Sequence, residues 1–201
     1  MSDILDNLFD SRSRARLLRF FILNPDQEFS VAHLAERNLL KSQDVRRELS
    51  MLTKIHFVQE HKRKGKKTYS VNTQFTYFRE LKMLFVKANT YPQCKSLGKV
   101  KTIGKVKLAL TSGVFLNYQR AKVDFIIVAD FVNRAKLKKI IQEIEAEIGK
   151  EVRYMLIGSD ELAYRLNMTD RFLMEFFSGP HEEVINKLPK LRTLIEELKR
   201  A

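Results

Sequence analysis

The chain has 201 residues, 44% of them apolar, which is enough length and hydrophobic content to bury real cores and argues against disorder. Its single cysteine, Cys94, excludes an internal disulfide or a cysteine-based zinc cluster, and no stretch reaches the about 18 consecutive apolar residues of a membrane span. The net charge of +13 is uneven: residues 1–80 hold 15 bases and 10 acids, residues 81–123 nine bases and no acid, and residues 124–201 13 bases and 14 acids.

That asymmetry suggests a polyanionic partner, nucleic acid first among them. The opening MSDILDNLFDSRSR places acids before any base and has no apolar core, so no secretory signal is expected and the setting predicted is cytoplasmic.

Residues 12–24 place Ala15, Leu18, Phe21 and Ile22 at helical spacing, and Asn24-Pro25 stops that helix. Residues 28–30 read as a short strand. Ser30 caps a second helix, VAHLAERN, with Val31, Leu34 and Ala35 inward, and Leu39-Leu40 forms a turn. A third helix runs from Ser42 to about Ile55, its buried stripe being Val45, Leu49, Leu52 and Ile55. Strands over 57–61 and 68–72 follow, joined by KRKGKK with Gly65 in the turn. A further helix is predicted over 75–88, with Phe78, Leu81 and Phe85 on one face.

Residues 89–104, with Pro92, Gly98 and Gly104, read as a linker between a domain over 1–88 and another over 105–201. Beyond it the texture becomes β/α. Strands are expected over 105–111, 123–129 and 152–158, and an amphipathic helix over 134–148 with Leu137, Ile140, Ile141 and Ile144 inward. Short helices over 160–166 and 170–177, a last strand EEVIN and a closing helix over 188–199 complete an α+β chain.

Burying the third helix's apolar stripe turns Ser42, Gln43, Arg46, Arg47, Ser50 and Lys54 outward. Arg matches guanine O6/N7 and Gln matches adenine N6/N7 in a major groove, so Gln43, Arg46 and Arg47, with Ser42 or Ser50, are the candidate base readers. Lys41, Lys54, Arg63, Lys64, Lys66 and Lys67 are the candidate phosphate anchors, the last four on the hairpin tip. Helix, strand, two helices and hairpin, in that order, make a winged helix-turn-helix. The stretch "SQDVRRELSMLTKIHFVQEHKRKGKKTYSVN" resembles the arsenic-repressor-type winged helices of prokaryotic transcriptional regulators over roughly residues 10–88. The resemblance implies double-stranded DNA as partner, half-sites about one helical turn apart, and a homodimer through the Ile4–Phe9 segment and the helix holding Phe78, Leu81 and Phe85. It does not extend to metal sensing: His33, His56 and His61 lack ligand spacing.

Residues 105–185 look like a minimal nucleotidyltransferase domain, a fold in which a Gly-Ser turn holds the triphosphate and three carboxylates hold two Mg²⁺. Strand against strand, Thr111 stands for the Gly and Ser112 is retained. Asp124 falls on the second Asp of the Asp-x-Asp, Lys122 on the first, and Arg153 with Tyr154 on the third carboxylate's region. With one ligand of three, the expectation is an inactive, oligomerising or effector-binding domain that holds no metal, no catalytic residue and no cofactor. Ser112, Lys122, Asp124 and Arg153 form a candidate pocket for a nucleotide or other phosphorylated effector. The alternatives are a transferase with an atypical site targeted by the winged helix, and an RNA- or ribosome-associated module. Whether Phe115, Tyr118, Tyr154 and Tyr164 stack on a base or pack in the core, and whether the acid-free segment 81–123 touches nucleic acid, stays open from sequence.

Overall fold

The computed structural model describes residues 4–63, 65–88 and 94–188. It is α+β, and divides into two compact units: Met1–Gln93 with Glu145–Glu151, and Cys94–Ile144 with Val152–Ala201. Among the described residues no helix is long and apolar enough to cross a membrane.

The first unit begins with helices α1 (Ile4–Leu8), α2 (Arg12–Leu23), α3 (Val31–Asn38) and α4 (Ser42–Lys54). The Ser11 and Ser30 hydroxyls accept the Arg14 and His33 N–H groups, each 3.2 Å away, so both α2 and α3 start on a capped N–H. Strands β1 (Val58–Arg63) and β2 (Lys66–Val71) form an antiparallel hairpin, and α5 (Phe78–Ala88) follows. The strand expected over 28–30 is a single bridge, Phe29 to Tyr69, with both backbone bonds at 2.8 Å. Phe21, Leu34, Val45, Leu49, Leu52, Phe57 and Phe85 make one core. Ile55, expected to extend the α4 stripe, is instead 49% exposed. The chain leaves the helix there, His56 takes φ +61, and Phe57 turns inward in its place. Helix α5 starts at Phe78, not residue 75, because Asn72 accepts the Gln74 N–H in a local turn and Phe75 packs edge-on to Phe57.

In the second unit, a 3-10 helix (Lys95–Thr102) occupies much of the segment read as linker. Ser96, Leu97 and Val100 are buried and Ile103 continues the row, a three-residue spacing that gives the turn an inner face against the following strand. Residues 89–93 lie outside the described set. The rest of the unit comprises β3 (Lys105–Thr111), β4 (Phe125–Asp130), α6 (Arg134–Ile148, whose last turn from Glu145 falls in the first unit), β5 (Tyr154–Ile157), α7 (Ser159–Asn167), α8 (Arg171–Ser178) and β6 (Glu182–Asn186). The sheet order is β5-β4-β3-β6; β4 and β5 are parallel and the other pairs antiparallel. Leu108, Leu110, Ile126 and Val128 pack on α7 and α8 through Leu162, Leu166, Leu173 and Phe177. The closing helix expected over 188–199 lies outside the described residues from 189 onward.

Candidate nucleic-acid interface

Helix α4 is held to the core by Val45, Leu49 and Leu52, and this leaves Ser42, Gln43, Arg46, Arg47, Ser50 and Lys54 exposed on its other side. Lys41, the residue before the helix, is exposed and contributes no side-chain cap, so no side chain of its own occupies the first-turn N–H groups. Arg47, exposed, has its Nη2 3.3 Å from Asp44 and 3.7 Å from Glu48. Glu48 itself is buried, accepting from the Ser11 hydroxyl at 3.2 Å and Arg14 Nε at 3.0 Å. It ties the start of α2 to the middle of α4. Sequence reasoning passed over it, although an acid beside Leu49 and three residues after Val45 falls on the apolar stripe.

The hairpin register pairs Val58 with Val71, Glu60 with Tyr69, Lys62 with Lys67 and Arg63 with Lys66. Cross-strand partners share a face, so the buried Val58–Val71 pair sets Glu60, Tyr69, Lys62 and Lys67 on that side. Gly65 closes the turn at φ +76; Lys64 lies outside the described residues. Lys62, Lys66 and Lys67 are exposed, but Lys67 Nζ lies 2.7 Å from Glu60, which raises the ammonium's pKa. The same bond holds the Glu60 carboxyl below its ordinary range, with a further bond from the Tyr69 hydroxyl at 3.3 Å. Burial first, and Glu60 second, push the Tyr69 phenol up; Lys67 and Arg46 oppose that shift.

In the second unit the turn after β3, Asp124 and Arg153 come together, while Lys122 does not join them. β3 ends at Thr111, which pairs with Phe125 inside the sheet and is not part of the turn. The turn is Ser112-Gly113, where Gly113 takes φ +48 and a Cβ would stand 1.9 Å from Asp124 Oδ1. Asp124, fully buried, accepts from the Val114 N–H (3.0 Å), the Arg153 N–H (2.9 Å), Arg153 Nε (2.9 Å) and Arg153 Nη2 (2.9 Å). Both oxygens are consumed by donors.

No family model, curated protein or solved structure matches the chain.

The expected effector pocket divides in two. Ser112 and Lys122 line a small open cleft, about 30 Å³, with Tyr118, Arg120, Phe172 and Phe176, whereas Asp124 and Arg153 are not among its lining residues. The Ser112 hydroxyl donates to the Pro180 carbonyl at 2.6 Å. Lys122 Nζ reaches Glu175 at 2.6 Å, and this bond holds the Glu175 carboxyl below its ordinary range. Glu175, on α8, had no signal in a reading that looked for acids on strands. Of the aromatics, Phe115 is core, Tyr118 lines the cleft, and Tyr154 and Tyr164 are exposed.

Proposed function

We propose that the chain is a cytoplasmic, homodimeric transcriptional regulator that reads double-stranded DNA with α4 and the β1–β2 hairpin. The observation that carries this is the exposed row Gln43, Arg46, Arg47 and Ser50 on α4, followed directly in the chain by a hairpin on which Lys62, Lys66 and Lys67 are exposed. A helix so presented enters a major groove by its N-terminal half, where Gln43 and Arg46 meet base edges. Arg47 lies beside Arg46, near Asp44 and Glu48, and exchanges those weak surface contacts for one to DNA. Lys41, Lys54, Lys62 and Lys66 supply phosphate contacts around that helix. Exposed Leu8 on α1 and Met83 on α5 supply apolar surface for pairing two copies, while Phe78 and Phe85 stay in each copy's own core.

The second unit is, in this reading, a nucleotidyltransferase-like domain without transferase activity. Asp124 gives both oxygens to N–H donors, and Arg153, a fixed cation, sits where a metal would need to approach. The Ser112 cleft, with Arg120 and Lys122 among its lining residues, offers cations for the phosphate of a phosphorylated effector, though it is too small as it stands to enclose a nucleotide.

The test is selection of bound duplex from a random pool, followed by mobility-shift titration. The Arg46→Ala/Arg47→Ala double variant is expected to lose about 1–3 kcal/mol for each base contact removed. Unchanged affinity for the selected duplex would remove α4 from the interface. Incubation with labelled nucleoside triphosphates and Mg²⁺ is expected to transfer no label; transfer to protein or RNA would reinstate an enzyme.

A further inference from the structure

The corner between β4 and α6 belongs neither to the α4 surface nor to the Ser112 cleft. There Phe131 stands 84% exposed with φ +55. The other described non-glycine residues at positive φ are Asp10, Leu39, His56, Asn117 and Thr169, and each follows the end of an α- or 3-10 helix. In such places a left-handed residue completes the last turn. Phe131 follows a strand, so helix termination does not account for its backbone, and water is a poor neighbour for its ring.

The surrounding chain holds this conformation in place. A Cβ on Gly104 would come within 2.8 Å of the Asp130 and Phe131 carbonyl oxygens, so that close approach needs glycine. The Asn133 N–H donates to the Ile103 carbonyl at 2.8 Å, and the Asn133 side chain accepts the Lys136 N–H at 2.9 Å. Lys105, opposite Asp130 in the β3–β4 register, puts Nζ 5.0 Å from the centre of the Phe131 ring. Asp130, the nearest acid, is taken by the Ser159 N–H (2.9 Å) and hydroxyl (2.6 Å) and by Lys107 at 3.4 Å. Exposed Lys101, Arg134 and Lys136 lie on the two segments that the Asn133–Ile103 bond ties together, and neither 95–107 nor 131–139 contains an acid.

We infer that this corner is a contact site for single-stranded nucleic acid, with a base stacked on Phe131 and the neighbouring phosphates met by Lys101, Lys105, Arg134 and Lys136. A protruding ring flanked by cations is the arrangement by which single strands are held without regard to sequence. A duplex base has both faces covered by its neighbours and accepts the ring only after unstacking, at about a few kcal/mol per step, so the single strand is favoured. The cations select a polyanion over an apolar protein partner.

The chain has no tryptophan, so Phe131→Trp places a sole indole at the corner. The full-length variant is titrated with a thymidine oligonucleotide, a mixed-sequence duplex and polyglutamate. The indole emission is expected to be quenched saturably by the single strand alone. Phe131→Gly removes the ring at a residue type that accepts the left-handed backbone, so folding is retained. It is expected to lower single-strand affinity, read by anisotropy, about tenfold. Unchanged affinity in Phe131→Gly, or equal quenching by duplex or polyglutamate, overturns the assignment. A loss of sedimenting mass in Phe131→Gly overturns it in favour of self-association through this corner.

Discussion

Asp124 shows how the chemistry of one residue is decided by its neighbours. In "AKVDFIIVAD" both acids are structural: Asp124 gathers four N–H donors, and Asp130 caps α7 through the Ser159 N–H and hydroxyl. Burying a carboxylate is costly, and the cost is offset here by a bidentate guanidinium plus two backbone donors. Arg153 is 54% exposed at its side chain, so water screens part of that pair. Removing the acid strands two inward backbone donors, whereas removing the arginine leaves the acid those same donors. Asp124→Ala is therefore expected to destabilise by about 3 kcal/mol and Arg153→Ala by about half as much, measured by denaturant unfolding. Gly113→Ala adds a test of the same site. Its Cβ would collide with Asp124 Oδ1, so its penalty should shrink in the Asp124→Ala background, leaving the strain of φ +48 and the 3.3 Å approach to the Cα of residue 124. Additive penalties would show that the two residues are not coupled.

At the scale of elements, the wing carries its own opposing charge. Glu60 bonds Lys67 at 2.7 Å, which withholds one of the hairpin's cations from phosphate. If the hairpin lies along DNA, Glu60→Gln frees Lys67 and removes an anion from the interface. Affinity is expected to rise and the salt slope to steepen by about 1, read by anisotropy across a salt series. No change in slope would put the Lys67 face away from DNA. This pair was not legible in the sequence, because it depends on the strand register, and KRKGKK reads only as a cluster of bases. The elements that were legible had one strong period: α3 and α6 appear at the predicted residues because Leu34–Ala35 and Leu137–Ile140–Ile141–Ile144 each define a single inner face. Where a local turn competed, boundaries slipped, as at Ile55 and residue 75. The 3-10 helix over Lys95–Thr102 was hidden by its glycine and lysines, whose composition resembles a loop although Leu97 and Val100 are buried. The Asp124–Arg153 and Lys122–Glu175 pairs span 29 and 53 residues, and only the tertiary fold brings them together.

Across the whole molecule, 24 acids offset 37 lysines and arginines, so each paired carboxylate also tempers a general repulsion. Four described carboxyls are held below their ordinary range. Glu143 is lowered chiefly by its bond from Lys99, Glu60 by Lys67, Glu175 by Lys122, and Asp130 by Ser159. Each is more acidic folded than unfolded, so the unfolded chain binds protons first as pH falls. Their contribution is complete above the ordinary carboxylate range, about pH 4 to 4.5, and is lost as pH drops through the lower folded values. The thermal midpoint is therefore expected to fall once pH passes below about 4.5, and Glu143→Gln should flatten that limb by removing one proton-linked group. Added salt should raise the midpoint on the acid side, because once the pairs are protonated what remains is repulsion among bases. Glu143, Glu175 and Asp130 belong to the second unit and Glu60 to the first. Hydrogen exchange at pH 4 should accordingly accelerate in β3–β6 before the α2–α4 core; the reverse order would place the acid-sensitive groups elsewhere.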